Sequence, residues 1–333
     1  MKKDKLIVGL DIGTTKICAI AGVKNGNGGI DVIGVGSSPS HGLRKGVVVN
    51  IDSTVASIQS AVKEVELMAG IKVDSVYAGI AGGHITSMNS RGVVAISGPA
   101  HEVTQSDIDR VIDAARAVSI PMDREVIHAL VKEYIIDNQD GIKTPMGMSG
   151  IRLEAEVHIV TGAVTSVQNI IKSVCNAGYN VIDIVLEQVA SAEATLTQDE
   201  KDLGTVLIDI GGGTTDLALF VKGSTCYTSV LSIGGNHFTN DISVGFRTPL
   251  TEAEKIKIKY GCAMGSLIDE DGEIEVPSVG GRKSRTLSRK VLCDIIEPRA
   301  EEIFCLIDNG IRQSKYRSMI GGGVVLTGGT VIL

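Results

Sequence analysis

Residues 8–15 read VGLDIGTT, and residues 206–216 read VLIDIGGGTTD. Each stretch runs through apolar residues to an Asp (Asp11, Asp209), then a glycine-rich turn with paired Thr. A second apolar run follows each, KICAIAGV after the first and LALFVKGS after the second. Strand–turn–strand is the reading at both places. Glycines let backbone N–H groups approach phosphate oxygens and turn inward as an anion nest. The Thr hydroxyls add hydrogen bonds. Asp11 and Asp209 cannot hold phosphate, because like charges repel. They fit carboxylates that orient water on Mg²⁺, with the metal offsetting the phosphate charge. A single turn of this kind is an ordinary β-turn. Two copies, more than half the chain apart, point to two related lobes closing on one nucleotide. The other common phosphate loop, GxxxxGK[ST], does not occur, so a P-loop enzyme is excluded.

The composition agrees. A chain of 333 residues has room for two or three domains. With no Trp and 4 Phe, the cores must be filled by Val, Ile, Leu and Ala, and 40 Gly fit an α/β protein with many tight turns. A net charge of −7 argues against nucleic acid as a partner. The six cysteines lack CxxC spacing and the six histidines lack metal-site spacing, so neither set reads as a metal centre. The basic start MKKDKLIVGLD has too few apolar residues before Asp11 for a signal peptide, and no stretch approaches 18 apolar residues. The expected location is cytoplasmic, with any membrane contact peripheral.

Along the chain, residues 1–85 read as three strands (Leu6–Leu10, Ile17–Val23, Ile30–Val35), a helix capped by Asp52 or Ser53 and closed by Gly70, and a buried strand at Val73–Ala81. Residues 86–160 change character. A helix after Thr104 and strands at Glu125–Ile136 and Arg152–Val160 make a compact α+β insertion. From residue 164 the α/β pattern resumes, and Val206–Ile210 opens a second lobe. Residues 245–310 carry helices and a charged strand pair. Three further segments fit a nucleotide site. GGNHFTND (234–241) puts Gly235 and Asn236 at a helix start, where amides can meet phosphate or ribose. EAEKIKIK (252–259) sets Glu254 and Lys257 on one helix face, either as an ordinary surface ion pair or as ribose-side groups. LTGG (326–329) sets Gly328 and Gly329 after a strand, as a plain turn or as a flat wall for an adenine.

These segments resemble the actin, Hsp70 and sugar-kinase superfamily, and they occur in its order: DIGTTK, VLEQVASA, DIGGGTTD, EKIK and GGGVVLTGG. Within that superfamily the chain resembles the bacterial cell-division family FtsA, most of all in GMSGIRLEAEVHIVTG (147–162) and also in GGNHFTNDI and IIEPRAEEIF. The resemblance implies an α/β, actin-like, two-lobed ATPase fold: two RNase-H-like lobes, with the α+β subdomain inserted in the first. Lobe one is then 1–85 plus 161–200, with the insert at 86–160. The core of lobe two is 201–244 plus 311–333, and its small subdomain is 245–310. The apolar end VVLTGGTVIL leads to the expectation that the C-terminal end of the lobe is missing. A basic amphipathic membrane helix is expected beyond it.

Carried over by position, Asp11, Gly13, Thr14 and Thr15 match the first phosphate loop, with Lys16 an added counter-charge. Asp209, Gly211, Gly212, Gly213, Thr214 and Thr215 match the second. ATP and Mg²⁺ are the implied ligands, the metal held through water by Asp11 and Asp209. Glu187 falls where the superfamily keeps the residue that positions the attacking water, and it reads either as that general base or as a helix-start carboxylate. It is followed by Gln188 where similar chains commonly have Pro. Hydrolysis is expected to be slow or hard to detect. The basic run RKSRTLSRK (282–290), with Arg282, Arg285 and Arg289, is either a solvated face or the place where the acidic C-terminal tail of tubulin-like FtsZ docks. Other implied partners are further copies of the chain in a head-to-tail filament, other division proteins, and the inner face of the cell membrane at the division site. The alternatives are a pilus-assembly relative and an ATP-dependent small-molecule kinase.

Overall fold

The computed structural model describes residues 6–26, 28–268, 272–278, 280 and 283–333. In lobe one, β1 (Leu6–Ile12), β2 (Lys16–Lys24) and β3 (Ile30–Pro39) form an antiparallel meander. The short pair β4 (Leu43–Arg44) and β5 (Val47–Val48) leads to α1 (Ile51–Ala69) and β6 (Ser75–Ile80), which pairs parallel to β1. The cap of α1 is Asn50, not Asp52 or Ser53. Its backbone is extended and its side chain accepts the Ser53 N–H at 2.9 Å, so the helix starts two or three residues earlier than the sequence reading places it. Gly70, with φ +64, ends the helix as expected. Gly36 of β3 shows how closely α1 packs: a Cβ there would lie 2.1 Å from the Ala61 carbonyl oxygen.

The insert begins with β7 (Thr86–Ala95) and α2 (Gln105–Arg116), followed by β8 (Arg124–Ile136), β9 (Gln139–Ile142) and β10 (Arg152–Ala163). They form a four-stranded sheet in the order β7-β10-β8-β9, and the apolar stripe of α2 (Ile108, Val111, Ala115) faces its core. Thr104 caps α2 together with Asp107, which is fully buried. The Asp107 carboxylate accepts from the Ser97 N–H and hydroxyl, the Thr104 N–H and hydroxyl, and Arg110. The chain then returns to lobe one through α3 (Val164–Asn176) and β11 (Asn180–Leu186), completing a five-stranded sheet in the order β11-β6-β1-β2-β3.

Helices α4 (Glu187–Thr195) and α5 (Gln198–Leu203) lead to lobe two, where β12 (Thr205–Ile210), β13 (Thr215–Val221) and β14 (Ser224–Leu231) repeat the antiparallel meander. Next come α6 (Gly235–Phe246), α7 (Leu250–Tyr260), the hairpin of β15 (Glu273–Val276) and β16 (Arg285–Ser288), and α8 (Arg289–Gln313). The last strand, β17 (Gly323–Thr327), pairs parallel to β12, as β6 does to β1. The two lobes therefore share one four-strand plan, β6-β1-β2-β3 and β17-β12-β13-β14, as the paired loops lead one to expect, and β11 is added at the edge of lobe one.

The insert also rests on lobe two. His158 of β10 is buried. Its Nδ1 lies 2.8 Å from Asn89 Oδ1 and its Nε2 lies 3.0 Å from Thr228 Oγ1 of β14. Burial, with the Lys132 cation nearby, pushes this imidazole down to about 4. Ser87 donates to the Thr228 carbonyl, and Asn89 to that of Cys226.

Asp107 yields a test of this architecture. Its hydrogen bonds, more than offsetting burial, hold its carboxyl well below the usual range. Its stabilisation is therefore present above the unfolded-state value of 3.8 and is lost as pH falls below it. Asp107→Ala is expected to cost about 3 kcal/mol, by removing a cap and orphaning several donors. Hydrogen exchange of α2 and β10 peptides at pH 7 should speed up accordingly; unchanged protection would show that the network is idle.

Candidate nucleotide site

The two Asp-Gly-Thr turns meet between the lobes. A Cβ at Gly212 would lie 2.3 Å from Thr15 Cγ2, and one at Gly213 would lie 2.5 Å from Thr14 Oγ1. Only glycine permits this contact. The turns open on a cavity of about 510 Å³, large enough for a nucleotide. Asp11, Gly13, Thr14, Thr15 and Lys16 line it from lobe one, and Asp209, Gly211, Gly212, Gly213 and Thr214 from lobe two. Glu187 enters at the start of α4, Gly235 and Asn236 at the start of α6, Glu254 and Lys257 from α7, and Gly328 and Gly329 after β17. Thr215 departs from this set. It is fully buried, and its hydroxyl donates to the Ile233 carbonyl at 2.8 Å, so it braces the hairpin behind the loop.

The α6 amides also differ from expectation. Gly235 N–H donates to the Gly211 carbonyl (2.9 Å) and Asn236 N–H to that of Gly212 (2.7 Å). These groups hold the second loop in shape and are not free for an anion. His237 accepts from the Gly234 N–H and closes the same helix start. Thr330, unforeseen from sequence, donates to the Gly211 carbonyl at 3.0 Å. Gly328, with φ +95, fits because a Cβ there would sit 2.5 Å from Asp209 Oδ1. The pair Glu254–Lys257 is no ordinary surface pair. Lys257 is buried, 2.6 Å from Glu254, and donates to Thr239 Oγ1 (2.9 Å) and the Gly235 carbonyl (3.1 Å). Arg282 lies outside the described residues. Arg285 and Arg289 are already engaged: the first donates to the Phe246 carbonyl and the second to that of Tyr260 (3.0 Å), at the C-terminal ends of α6 and α7.

Besides Glu254, which is paired with Lys257, four carboxyl groups crowd this site: Asp11, Glu187, Asp209 and Asp216. Asp216, buried and not singled out from sequence, pairs across the hairpin with Asp209. One of its oxygens accepts from the Thr214 hydroxyl (2.8 Å) and the other from Gln188 Nε2 (3.0 Å). Ser191, also unforeseen, donates to Asp209 at 2.9 Å. Burial, then the charges of Asp11, Asp216 and Asp209, raises Glu187 well above the ordinary carboxylate range. Burial raises Asp11 to about 6 against the pull of Lys16, and raises Asp216 to about 7 against the Thr214 hydrogen bond. Burial raises Asp209 as well, opposed by Ser191. Among the described residues, no three His, Cys, Asp or Glu side chains are placed to hold a metal directly.

Comparison with known proteins decides the family. The model for the "SHS2 domain inserted in FTSA" matches residues 82–161, and that for "Cell division protein FtsA" matches residues 206–331. The chain is 52% identical to cell division protein FtsA of Pseudomonas aeruginosa over 330 residues, covering 99% of this chain and 79% of the relative. The chain belongs to the FtsA family. The FtsA proteins of Neisseria meningitidis (47% identical, 100% of this chain and 80% of the relative) and Escherichia coli K12 (42%, 98% and 79%) agree. Among solved structures, the PilM–PilN type IV pilus biogenesis complex matches with TM-score 0.67 at 18% identity, over 98% of this chain and 82% of that one. MreB 5 of Spiroplasma citri bound to AMPPNP matches with TM-score 0.57 at 16%, over 99% and 86%. These two show the actin-like fold shared by FtsA.

The carboxyl cluster makes stability without ligand depend on pH. Asp216 is raised in the folded state, so its contribution is full below 3.8 and is lost as pH rises through about 7. Asp216→Asn removes that titration, and the Gln188 amide can reverse to offer its unpartnered Oε1 to the new NH₂. Relative to wild type, the variant should gain on the order of a few kcal/mol between pH 5 and pH 8 in EDTA. Melting curves that stay parallel across that range would contradict the assignment. The buried histidines titrate with the opposite sign, which is why the difference between the two proteins is the quantity to read.

Proposed function

We propose that this FtsA-family chain binds ATP with Mg²⁺ between its lobes, assembles head to tail with further copies, and tethers FtsZ to the inner face of the cytoplasmic membrane during division. The observation that carries ATP binding is the meeting of two Asp-Gly-Thr turns, one from each lobe, over a cavity walled by glycine and by the buried Lys257. Gly212 and Gly213 let the two turns close against each other beside the cavity, and Lys16 and Lys257 supply positive charge. Gly328 and Gly329 offer a wall without side chains to a base. The crowded carboxyls fit a cation whose waters Asp11 and Asp209 orient; Mg²⁺ bound there would offset the charge of the phosphates. Glu187 sits at the cavity as the candidate general base for a slow hydrolysis. Gly79 makes room for it: a Cβ there would lie 3.0 Å from Glu187 Oε1.

Gly212→Val tests the ATP reading. The added side chain meets Thr15 and must part the two turns, so the Kd for ATP in Mg²⁺ should rise at least 100-fold by isothermal titration. Asp209→Ala should weaken ATP in Mg²⁺ and matter less in EDTA. Equal affinity in wild type and both variants would refute the site.

Family membership favours a division adaptor over a small-molecule kinase. The basic surface of β16 and the start of α8 is the proposed seat of the acidic FtsZ tail. Its attraction should be salt-sensitive, because charges are screened within about 10 Å at 0.1 M salt. Arg285→Glu with Arg289→Glu should weaken an FtsZ tail peptide several-fold at low salt. It should also lower the melting temperature somewhat, since both guanidiniums cap helix ends. A folded double variant that binds the peptide as wild type does would move the partner elsewhere.

A further inference from the structure

Glu187 is the first residue of α4, and that helix has no side-chain cap. Its direction must therefore be fixed by neighbours, and two hydrogen bonds on either side of it do so. On the C-terminal side, Gln188 donates to Asp216 of lobe two at 3.0 Å. On the N-terminal side, the Leu186 N–H donates to His128 Nε2 at 2.9 Å. His128 belongs to neither lobe core; it lies on β8 of the insert. Leu186 ends β11, the edge strand of the lobe-one sheet. An edge strand leaves backbone donors without a strand partner, and here the imidazole takes the last one before Glu187. As an acceptor at Nε2, His128 is neutral with its proton on Nδ1. Burial favours that neutral form against the pull of Asp183.

We propose that His128 is a positioning residue for Glu187: the insert holds the N-terminus of α4 so that this carboxylate faces the nucleotide cavity. The proposal rests on the ATP reading above. His128 is not on the cavity wall and acts only through the Leu186 amide, so it should influence the reaction without contributing to affinity. Moving the insert relative to lobe one would then change hydrolysis with no contact to the ligand.

The experiment compares wild type, His128→Ala and His128→Gln in the full chain, with excess protein over labelled ATP and Mg²⁺. It reads three quantities: Kd for ATP, the single-turnover hydrolysis rate, and the melting temperature. His128→Ala should lower the rate about tenfold or more, with Kd within about twofold of wild type. His128→Gln carries an amide oxygen that can accept the same N–H, and it should restore most of the rate. An unchanged rate in His128→Ala overturns the proposal. So does a loss of rate matched by equal losses of affinity and melting temperature, with no rescue by Gln. If His128→Ala fails to fold, His128→Gln still decides: a folded Gln variant with wild-type Kd and near wild-type rate supports the role, and one with a tenfold lower rate overturns it. A wild-type chain that binds ATP and leaves it intact has no hydrolysis to position, which also overturns the proposal. A wild-type chain that does not bind ATP refutes the ATP reading instead, so the two failures are told apart by Kd.

Discussion

Gly212 and Gly213 of one lobe lie directly on Thr15 and Thr14 of the other, with no Cβ between them. That contact sets the distance between the lobes. It fixes how far each sheet must carry its turn, and it explains why both meanders end in the same way. The second loop cannot hold its shape alone. Its carbonyls are taken by the first amides of α6 and by Thr330, so the helix after the meander and the turn after β17 are both committed to it. Lobe two is in this sense built around two carbonyl oxygens, those of Gly211 and Gly212.

Bringing the loops together also crowds Asp11, Glu187, Asp209 and Asp216. Without a cation the cluster is tolerated by keeping protons on some of its members, at the cost of stability when pH rises. The Thr214, Ser191 and Gln188 hydrogen bonds offset part of that cost and leave part of it standing. A site that resists full ionisation when empty gains most when positive charge enters, so the strain favours occupancy. The same physics gives Lys257 its setting. A buried ammonium is held by a carboxylate, a hydroxyl and a carbonyl at once, which is what a desolvated cation requires.

Much of this was legible in the sequence because it is local. Asp-Gly-Thr turns, Thr104 three residues before an acidic partner, and Gly70 after an apolar stripe each state their geometry within a few residues. What escaped depends on distant neighbours or on backbone angles. Asn50 outranks Asp52 and Ser53 as a cap because its backbone is extended where theirs is helical. Thr215 looks like Thr214, but strand alternation turns it to the opposite face, towards Ile233. Asp216 was visible as the last letter of its motif, yet its importance comes from Asp209 across the hairpin and from Gln188 in another element. His128 gave no signal at all, since its partner is a backbone N–H 58 positions away in the chain.

The bridge from His158, Asn89 and Ser87 to β14 has a mechanical consequence. The insert is covalently part of lobe one, yet it grips the edge strand of the lobe-two sheet, whose order is β14-β13-β12-β17. While those bonds persist, β14 is the pivot of any opening between the lobes. The opposite edge, where Gly328 and Gly329 follow β17, is the free end of the lever. Strands lie about 4.8 Å apart, so that edge stands about 14 Å from the pivot, and a swing of about 10° moves it by about 2.5 Å. A cleft that opened about that strand would move like a book with its spine at the insert, the wall beside β17 travelling furthest and the meander nearest the spine least.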